Sequence, residues 1–410
     1  MGVVSLKSFA ISDPSTSNAI SRLAEQIGKV KINPDFVCAF YDCEHDDGLI
    51  FEFVKQRFPN AAVLGGTSCS GLMSDAGLAG AMSIGLLLIE DPDGDYGSAA
   101  VKLDADVASC AERALYQALT AADCAGELPE LIWIYQAPGR EEAVIEGLRR
   151  LVGDRCPIIG GSSADNTVAG NWRQLGPEGP MSDGLVVGVF FSSGGIGFAF
   201  QGGYEPTGPN GIVTQVAYDP AGESGIVTRA RGRQIIAIDD EPAAQVYNRW
   251  IGGVLSDKLA GGGSILTDTT MYPLGIAAGK IEDVTHYILV HPDQVLEGGA
   301  LSTFATIEEG TRLYSMNGDK TRLIERAGKV AAASAATLAN GPGNLAGGLV
   351  VYCGGCMIAV GDQMPRVSKA VSSSFNGMPF LGCFTFGEQG FLLDRNTHGN
   401  LMISAIAFGQ

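Results

Sequence analysis

The sequence predicts a mixed α/β fold in two domains, built from pseudo-repeated β-α-β-β units that form mixed sheets flanked by helices. Three observations predict it. Apolar runs of strand length, rich in β-branched and aromatic residues, alternate with segments whose apolar residues recur every three or four positions. The order strand, helix, strand, strand occurs three times along the chain. In each occurrence the second strand runs into glycine, followed within three residues by Ser or Thr.

Taken in order, residues 15–30 and 48–58 have the spacing of amphipathic helices, the second closed by Pro59. Residues 36–41, 63–66 and 82–89 read as strands bounded by Gly, Pro or Asp, and complete the first unit. The second unit runs through 131–135, 141–152, 157–162 and 184–191; the third through 349–352, 363–375, 379–385 and 401–408. Between them lies a β-rich insertion, about 196–311. In it, 203–209 reads as a loop and 212–216 and 234–238 as strands. Asp240-Glu241-Pro242 opens a helix, with acid at its positive end and proline in its first turn. The three glycines of 260–264 read as a flexible joint. A boundary just before the strand at Gln234 divides the chain into domains 1–232 and 233–410. Repeated units imply a pseudo-symmetric fold in which corresponding turns lie near one another.

Composition narrows the function. With 410 residues, 46% of them hydrophobic, the chain has ample core and is not a disordered protein. Its 57 glycines lack a period of three, and nine cysteines are too sparse for a disulfide scaffold. A net charge of −18 argues against a nucleic-acid or anionic-membrane surface. No apolar stretch approaches the roughly 18–20 residues that cross a bilayer, and the first residues lack a signal-peptide pattern. A soluble, cytoplasmic protein without membrane insertion is expected, and the odd cysteine count fits a reducing compartment.

The glycine turns are the candidate site. Gly65, Gly66, Thr67 and Ser68 form the first, Gly160, Gly161, Ser162 and Ser163 the second, and Gly382 with Thr385 the third. Glycine brings backbone N–H groups close to a ligand, and the hydroxyls add donors and acceptors, so a ligand carboxylate is the simplest group they can hold. The competing reading is a set of tight turns whose hydroxyls cap the next segment.

In these turns, in Gly203-Tyr204-Glu205-Pro206-Thr207-Gly208-Pro209 with Val213-Thr214, in Tyr272-Pro273-Leu274-Gly275 and in the 298–310 segment, the chain resembles the FIST family of sensory proteins. The most specific block is Gly382-Cys383-Phe384-Thr385-Phe386-Gly387-Glu388, and the resemblance covers nearly the whole chain, as N-terminal and C-terminal domains. It implies a sensory protein of signal transduction that binds a small ligand such as an amino acid and signals through a separate partner. An alternative it implies is a haem-binding nitric oxide sensor that regulates a histidine kinase. One departure stands out: where the family pattern has an arginine, this chain has Cys353-Gly354-Gly355-Cys356.

Several side chains carry possible chemistry within that frame. Glu388 can pair with a ligand ammonium while backbone N–H groups hold the carboxylate; Asp165 is a second acid of this type. Cys353 and Cys356 have the spacing of a redox pair or half a zinc site, with no second pair to complete it. The four histidines are His45, His286, His291 and His398. Haem b would take one of them, His291 or His286 first, and would be non-covalent because no Cys-x-x-Cys-His motif occurs. Odd spacing puts His286 and His291 on opposite faces of a strand. Cys69, in Thr67-Ser68-Cys69-Ser70-Gly71, stands where the nucleophile of a Cys-dependent enzyme would, but it lacks a nucleophile elbow and a nearby base. No catalytic residue, no resident metal or cofactor and no enzyme activity are therefore expected.

Overall fold

Each repeat is larger than its sequence pattern suggests, because an opening strand and helix and a hairpin belong to it. In the computed structural model, which describes residues 3–201, 204–206, 214–216, 218–281 and 284–410, each unit is strand, helix, strand, helical segment, strand, hairpin, strand. The first unit comprises β1 (Ser5–Ser12), α1 (Thr16–Ile27), β2 (Phe36–Tyr41), α2 (Asp47–Arg57), β3 (Ala62–Thr67), β4 (Leu72–Ser74), β5 (Gly77–Ala79) and β6 (Ser83–Glu90). The second comprises β7 (Asp95–Lys102), α3 (Val107–Ala121), β8 (Leu131–Gln136), α4 (Glu141–Val152), β9 (Ile158–Ser162), β10 (Gln174–Gly176), β11 (Gly179–Met181) and β12 (Gly184–Phe191).

The third unit opens with β13 (Ile196–Gln201) and is then interrupted. The insertion holds β14 (Tyr204–Pro206), β15 (Thr214–Val216), β16 (Tyr218–Arg231), β17 (Gln234–Ile238), β18 (Glu241–Pro242), α5 (Ala243–Trp250), β19 (Gly263–Ser264), α6 (Leu266–Thr269), β20 (Leu274–Ile281), β21 (Val284–Val290), β22 (Pro292–Val295), β23 (Leu301–Thr303) and β24 (Arg312–Gly318). The unit resumes with α7 (Lys320–Ala336), β25 (Leu345–Cys353), α8 (Gly354–Val360), α9 (Met364–Ser374), β26 (Phe380–Thr385), β27 (Glu388–Leu392), β28 (Arg395–Gly399) and β29 (Ile403–Gly409).

Each unit builds a mixed four-stranded sheet: β1-β6-β2-β3, β7-β12-β8-β9 and β13-β29-β25-β26, with one parallel pair each. The hairpin does not stay at home. Hairpin β4–β5 pairs with β26 of the third unit, β10–β11 with β3 of the first, and β27–β28 with β9 of the second. The exchange runs in a closed cycle.

Burial follows the period of two. On β2, Phe36, Cys38 and Phe40 face a central core shared by all three sheets, whereas Val37, Ala39 and Tyr41 face α1 and α2. Both faces are covered, which is why the central strands read as unbroken apolar runs. In the shared core Phe190 meets Phe36 edge-on at 4.6 Å and Phe408 at 5.8 Å, joining the three sheets through aromatic contacts. The helices start where side chains cap them: Ser15, Asp46, Asp106 and Asp319 each accept a backbone N–H of the first turn.

The insertion departs from its expected outline at three points. Tyr204–Pro206 is a strand paired with Thr214–Val216 and not part of a loop; Gly203 and residues 207–213 lie outside the described residues. Gly263 and Ser264 are not a loose joint, because they pair with Val295 and Gln294 at a sheet edge. The predicted helix begins at Ala243, with Pro242 as its N-cap residue. Outside the insertion, α8 starts directly after β25, where Gly354 and Gly355 mask a helix in the sequence. Among the described residues, no helix is long and apolar enough to cross a membrane.

Candidate functional site

The three glycine turns converge. β3, β9 and β26 are equivalent strands, and the segments that leave them are stitched in a ring by backbone hydrogen bonds. Ala164 N donates to Thr67 O, Phe386 N to Ser162 O and Cys69 N to Phe384 O, each at 3.1 Å. The approach is close: a Cβ on Gly161 would stand 2.5 Å from Thr385 Cγ2. Gly65 and Gly160 lie in the parallel pairs beside Ala39 and Ile134, and Gly66 and Gly382 face the exchanged hairpins at Gln174 and Met73.

The hydroxyls of these turns are committed to the ring. Thr67 Oγ1 accepts from Arg173 N at 3.0 Å, and Ser68 Oγ donates to Gly71 O at 2.7 Å while accepting from Phe384 N at 2.9 Å. Ser163 Oγ donates to Gln136 O and accepts from Gln174 Nε2 at 2.6 Å. Thr385 Oγ1 donates to Glu388 Oε1 at 2.8 Å, and Ser162 Oγ to Glu141 Oε1 at 2.7 Å. All five are buried.

The two acids are equally occupied. Asp165 accepts backbone N–H groups of Thr167, Val168, Ala169 and Asn171, closing a loop that holds Val168 at φ 57°. A β-branched residue there is strained, and strain of this kind collects at functional sites. Glu388 accepts from Thr385 and, through Oε2, from Met402 N at 3.1 Å. Burial, then the neighbouring Cys353, push its carboxyl well above the usual carboxylate range. The folded state therefore keeps a proton that the unfolded chain releases above about pH 4.5, so this group costs stability as pH rises toward its folded pKa. Glu388→Gln is expected to gain on wild type by about 1 kcal/mol or more between pH 5 and pH 8 in urea unfolding. A constant difference across that range would show that Glu388 ionises freely in the fold.

The thiols and imidazoles are quiet as well. Burial pushes the Cys69 thiol up to about 12, and contact with Cys356, then burial, raises Cys353 well above the ordinary thiol. Cys353 stands at the N-cap position of α8 without a side-chain capping bond, and Cys356 is fully buried. His45 Nδ1 bonds Thr16 Oγ1 at 3.0 Å, and burial together with the Arg326 charge lowers His286. Burial brings His291 down to about 4, and its Nε2 lies 3.1 Å from Leu266 O and 3.0 Å from Thr269 Oγ1.

Beside His291 lies a cavity of about 60 Å³, at the carboxyl ends of β25 and β26, the end of a parallel strand pair where α/β proteins place ligands. Cys353, Gly355 and Phe386 come from the third unit, Leu266, Thr270, His291 and Phe304 from the insertion, and Val168 from the strained loop. Ile358, half exposed like Val168, stands at its margin. Its wall is mostly apolar. Haem does not fit here: the enclosed space is far smaller than a porphyrin, and the Nε2 that would bind iron is already hydrogen-bonded.

A second constellation escaped the sequence reading. Arg233, in the turn between β16 and β17, places Nη2 2.6 Å from Glu141 Oε2 and 2.7 Å from Glu142 Oε2 at the start of α4. His398 Nδ1 lies 3.1 Å from Glu142 Oε1. Burial pushes both carboxyls up, but the His398 and Arg233 charges outweigh it and hold them below the usual range. Oxygen and nitrogen atoms of Glu141, Glu142 and His398 lie within 4.8 Å of one another, and the Arg233 guanidinium already bridges the two carboxylates and balances one of their charges. A Glu pair at a helix start reads as ordinary dipole chemistry, and nothing near Arg233 in sequence marks its partner 92 residues away.

The profile of the FIST N domain matches residues 35–219, and that of the FIST C domain residues 243–391. No curated protein matches the sequence. Among solved structures, a cyanuric acid hydrolase described as evolutionary innovation by structural concatenation is similar over 100% of both chains, at 8% identity and a TM-score of 0.36. A cyanuric acid hydrolase from A. caulinodans is similar over 100% of both chains, at 11% identity and a TM-score of 0.35. These neighbours correct one expectation: they are enzymes, so the expectation of no enzyme activity is withdrawn. At such scores they carry no argument about a reaction in this chain.

Proposed function

Because the chain belongs to the FIST family, whose domains are sensory domains of signal transduction, we propose that it senses a small metabolite bound in the cavity between the insertion and the third unit. The observation that carries the proposal is the composition of that wall: residues of the insertion, the third unit and the strained Val168 loop meet around a mostly apolar space with few polar groups. That is the make-up of small-molecule sites. A guest touching both bodies changes how the insertion rests on the ring, and that change is what a separate signalling partner reads. An amino-acid ammonium finds no carboxylate among the described lining residues, and Glu388 is buried and driven toward its neutral form. The preferred ligand is therefore a small molecule with an apolar body and no net positive charge.

The experiment is a thermal-shift screen of small metabolites against wild type and Ile358→Trp. Ile358 is 54% exposed at the cavity margin, so tryptophan covers the mouth with little effect on the core. Compounds that stabilise wild type are expected to lose about tenfold or more in affinity for the variant, with the melting temperature of the free protein nearly unchanged. Equal affinity for both proteins would move the site elsewhere.

A further inference from the structure

The geometry points to Asn400 as the specificity-determining residue of this cavity: its side-chain amide N–H group selects ligands that carry a carbonyl-type hydrogen-bond acceptor on an apolar body. The inference rests on the cavity being the ligand site. Asn400 follows β28 and lines the cavity, yet only 2% of it is exposed. Its backbone N donates to Leu289 O at 2.9 Å, and its Oδ1 accepts from His291 N at 3.3 Å. The second contact fixes the orientation of the amide, because a backbone N–H can be met only by the oxygen. Nδ2 is left buried with no hydrogen-bond partner.

A buried amide donor without a partner is costly, and one that lines a cavity is met at least cost by an acceptor on a guest. The surroundings narrow that guest. His291 is driven toward its neutral form by burial, its Nε2 is held by Leu266 O, and Thr270 Oγ1 donates to Leu266 O at 3.0 Å. These neighbours are already engaged within the protein and Thr267 stands exposed to solvent, so the Asn400 N–H is the buried donor left for a ligand. Phe304 and Phe386 present hydrocarbon on the cavity wall. Ketones, amides and lactams of small ring size have the required pairing of one acceptor with an apolar frame. Discrimination against a shape-matched hydrocarbon follows from the penalty of leaving the donor unpaired.

The test uses two rings of the same shape, cyclopentanone and methylenecyclopentane, titrated into the full chain by NMR with the Asn400 side-chain amide followed directly. Cyclopentanone is expected to bind about tenfold or more tightly than methylenecyclopentane and to shift the Asn400 amide resonance. In Asn400→Asp, which keeps an oxygen for His291 N and removes the donor, that preference is expected to vanish. Equal binding of both rings to wild type overturns the role of Asn400 and leaves the cavity as the site. Ketone binding without a shift at Asn400 overturns it too. If neither ring binds, the cavity assignment falls with it.

Discussion

Arg233→Met is expected to cost about 3–5 kcal/mol of stability, the loss seen when one partner of a buried ion pair is removed. Glu141 is 2% exposed at its side chain and Arg233 is 23% exposed, so solvent takes little of the charge that the substitution strands. Glu142 is 39% exposed and contributes less. Charges fix the pH dependence. Both carboxyls have lowered pKa values in the fold, so their contribution is present above about pH 4.5 and is lost as pH falls through the folded values. Urea unfolding of wild type should show that acid loss, and the variant should show less of it. Adding Glu141→Gln to Arg233→Met should restore part of the stability, because the stranded charge is gone. A loss under about 1 kcal/mol would mean that the pair behaves as a solvated surface bridge.

Gly161→Val is expected to cost about 3 kcal/mol, or to prevent folding, for a reason that lies in another unit. The added Cβ would stand 2.5 Å from Thr385 Cγ2 and 2.9 Å from Thr385 Cβ, and both residues sit on strands fixed by their sheets. Overpacking of this kind forces backbone shifts. Thr385→Ser removes the nearer methyl and should recover part of the loss in the double variant, while costing little alone because its hydroxyl still reaches Glu388. Thermal unfolding of the three variants reads the coupling. Strict additivity would show that the second and third turns do not touch.

What the sequence could reveal divides along the range of the interactions. Strand 36–41 and helix 141–152 were legible because local periodicity and flanking breakers set them. The recurrence of Gly before Ser or Thr disclosed three equivalent turns, and they do meet. The partners of the hydroxyls were not legible, since Ser68 is answered by Phe384 across 316 residues and Ser162 by Glu141 on a helix. Helix α8 stayed hidden because two glycines in its first turn argue against a helix that packing nevertheless forms. Asn400 gave no signal: an Asn after Gly reads as a turn, and its unpaired nitrogen exists only in three dimensions.

The cyclic exchange of hairpins also governs the order in which this chain can be made. Leu72 and Met73 wait for Cys383 and Gly382, so a nascent chain carries an unmatched hairpin until more than 300 further residues have emerged. Emergence of β26 and β27 closes two of the three seams nearly together, since β27 must reach β9 while β26 receives β4, whereas the seam of β10 with β3 can close earlier. A single unit cut from the chain would expose both a donor hairpin and an acceptor edge, the two halves of a self-polymerising monomer. Truncation at the C-terminal side should therefore yield filaments or aggregates in place of a smaller soluble core.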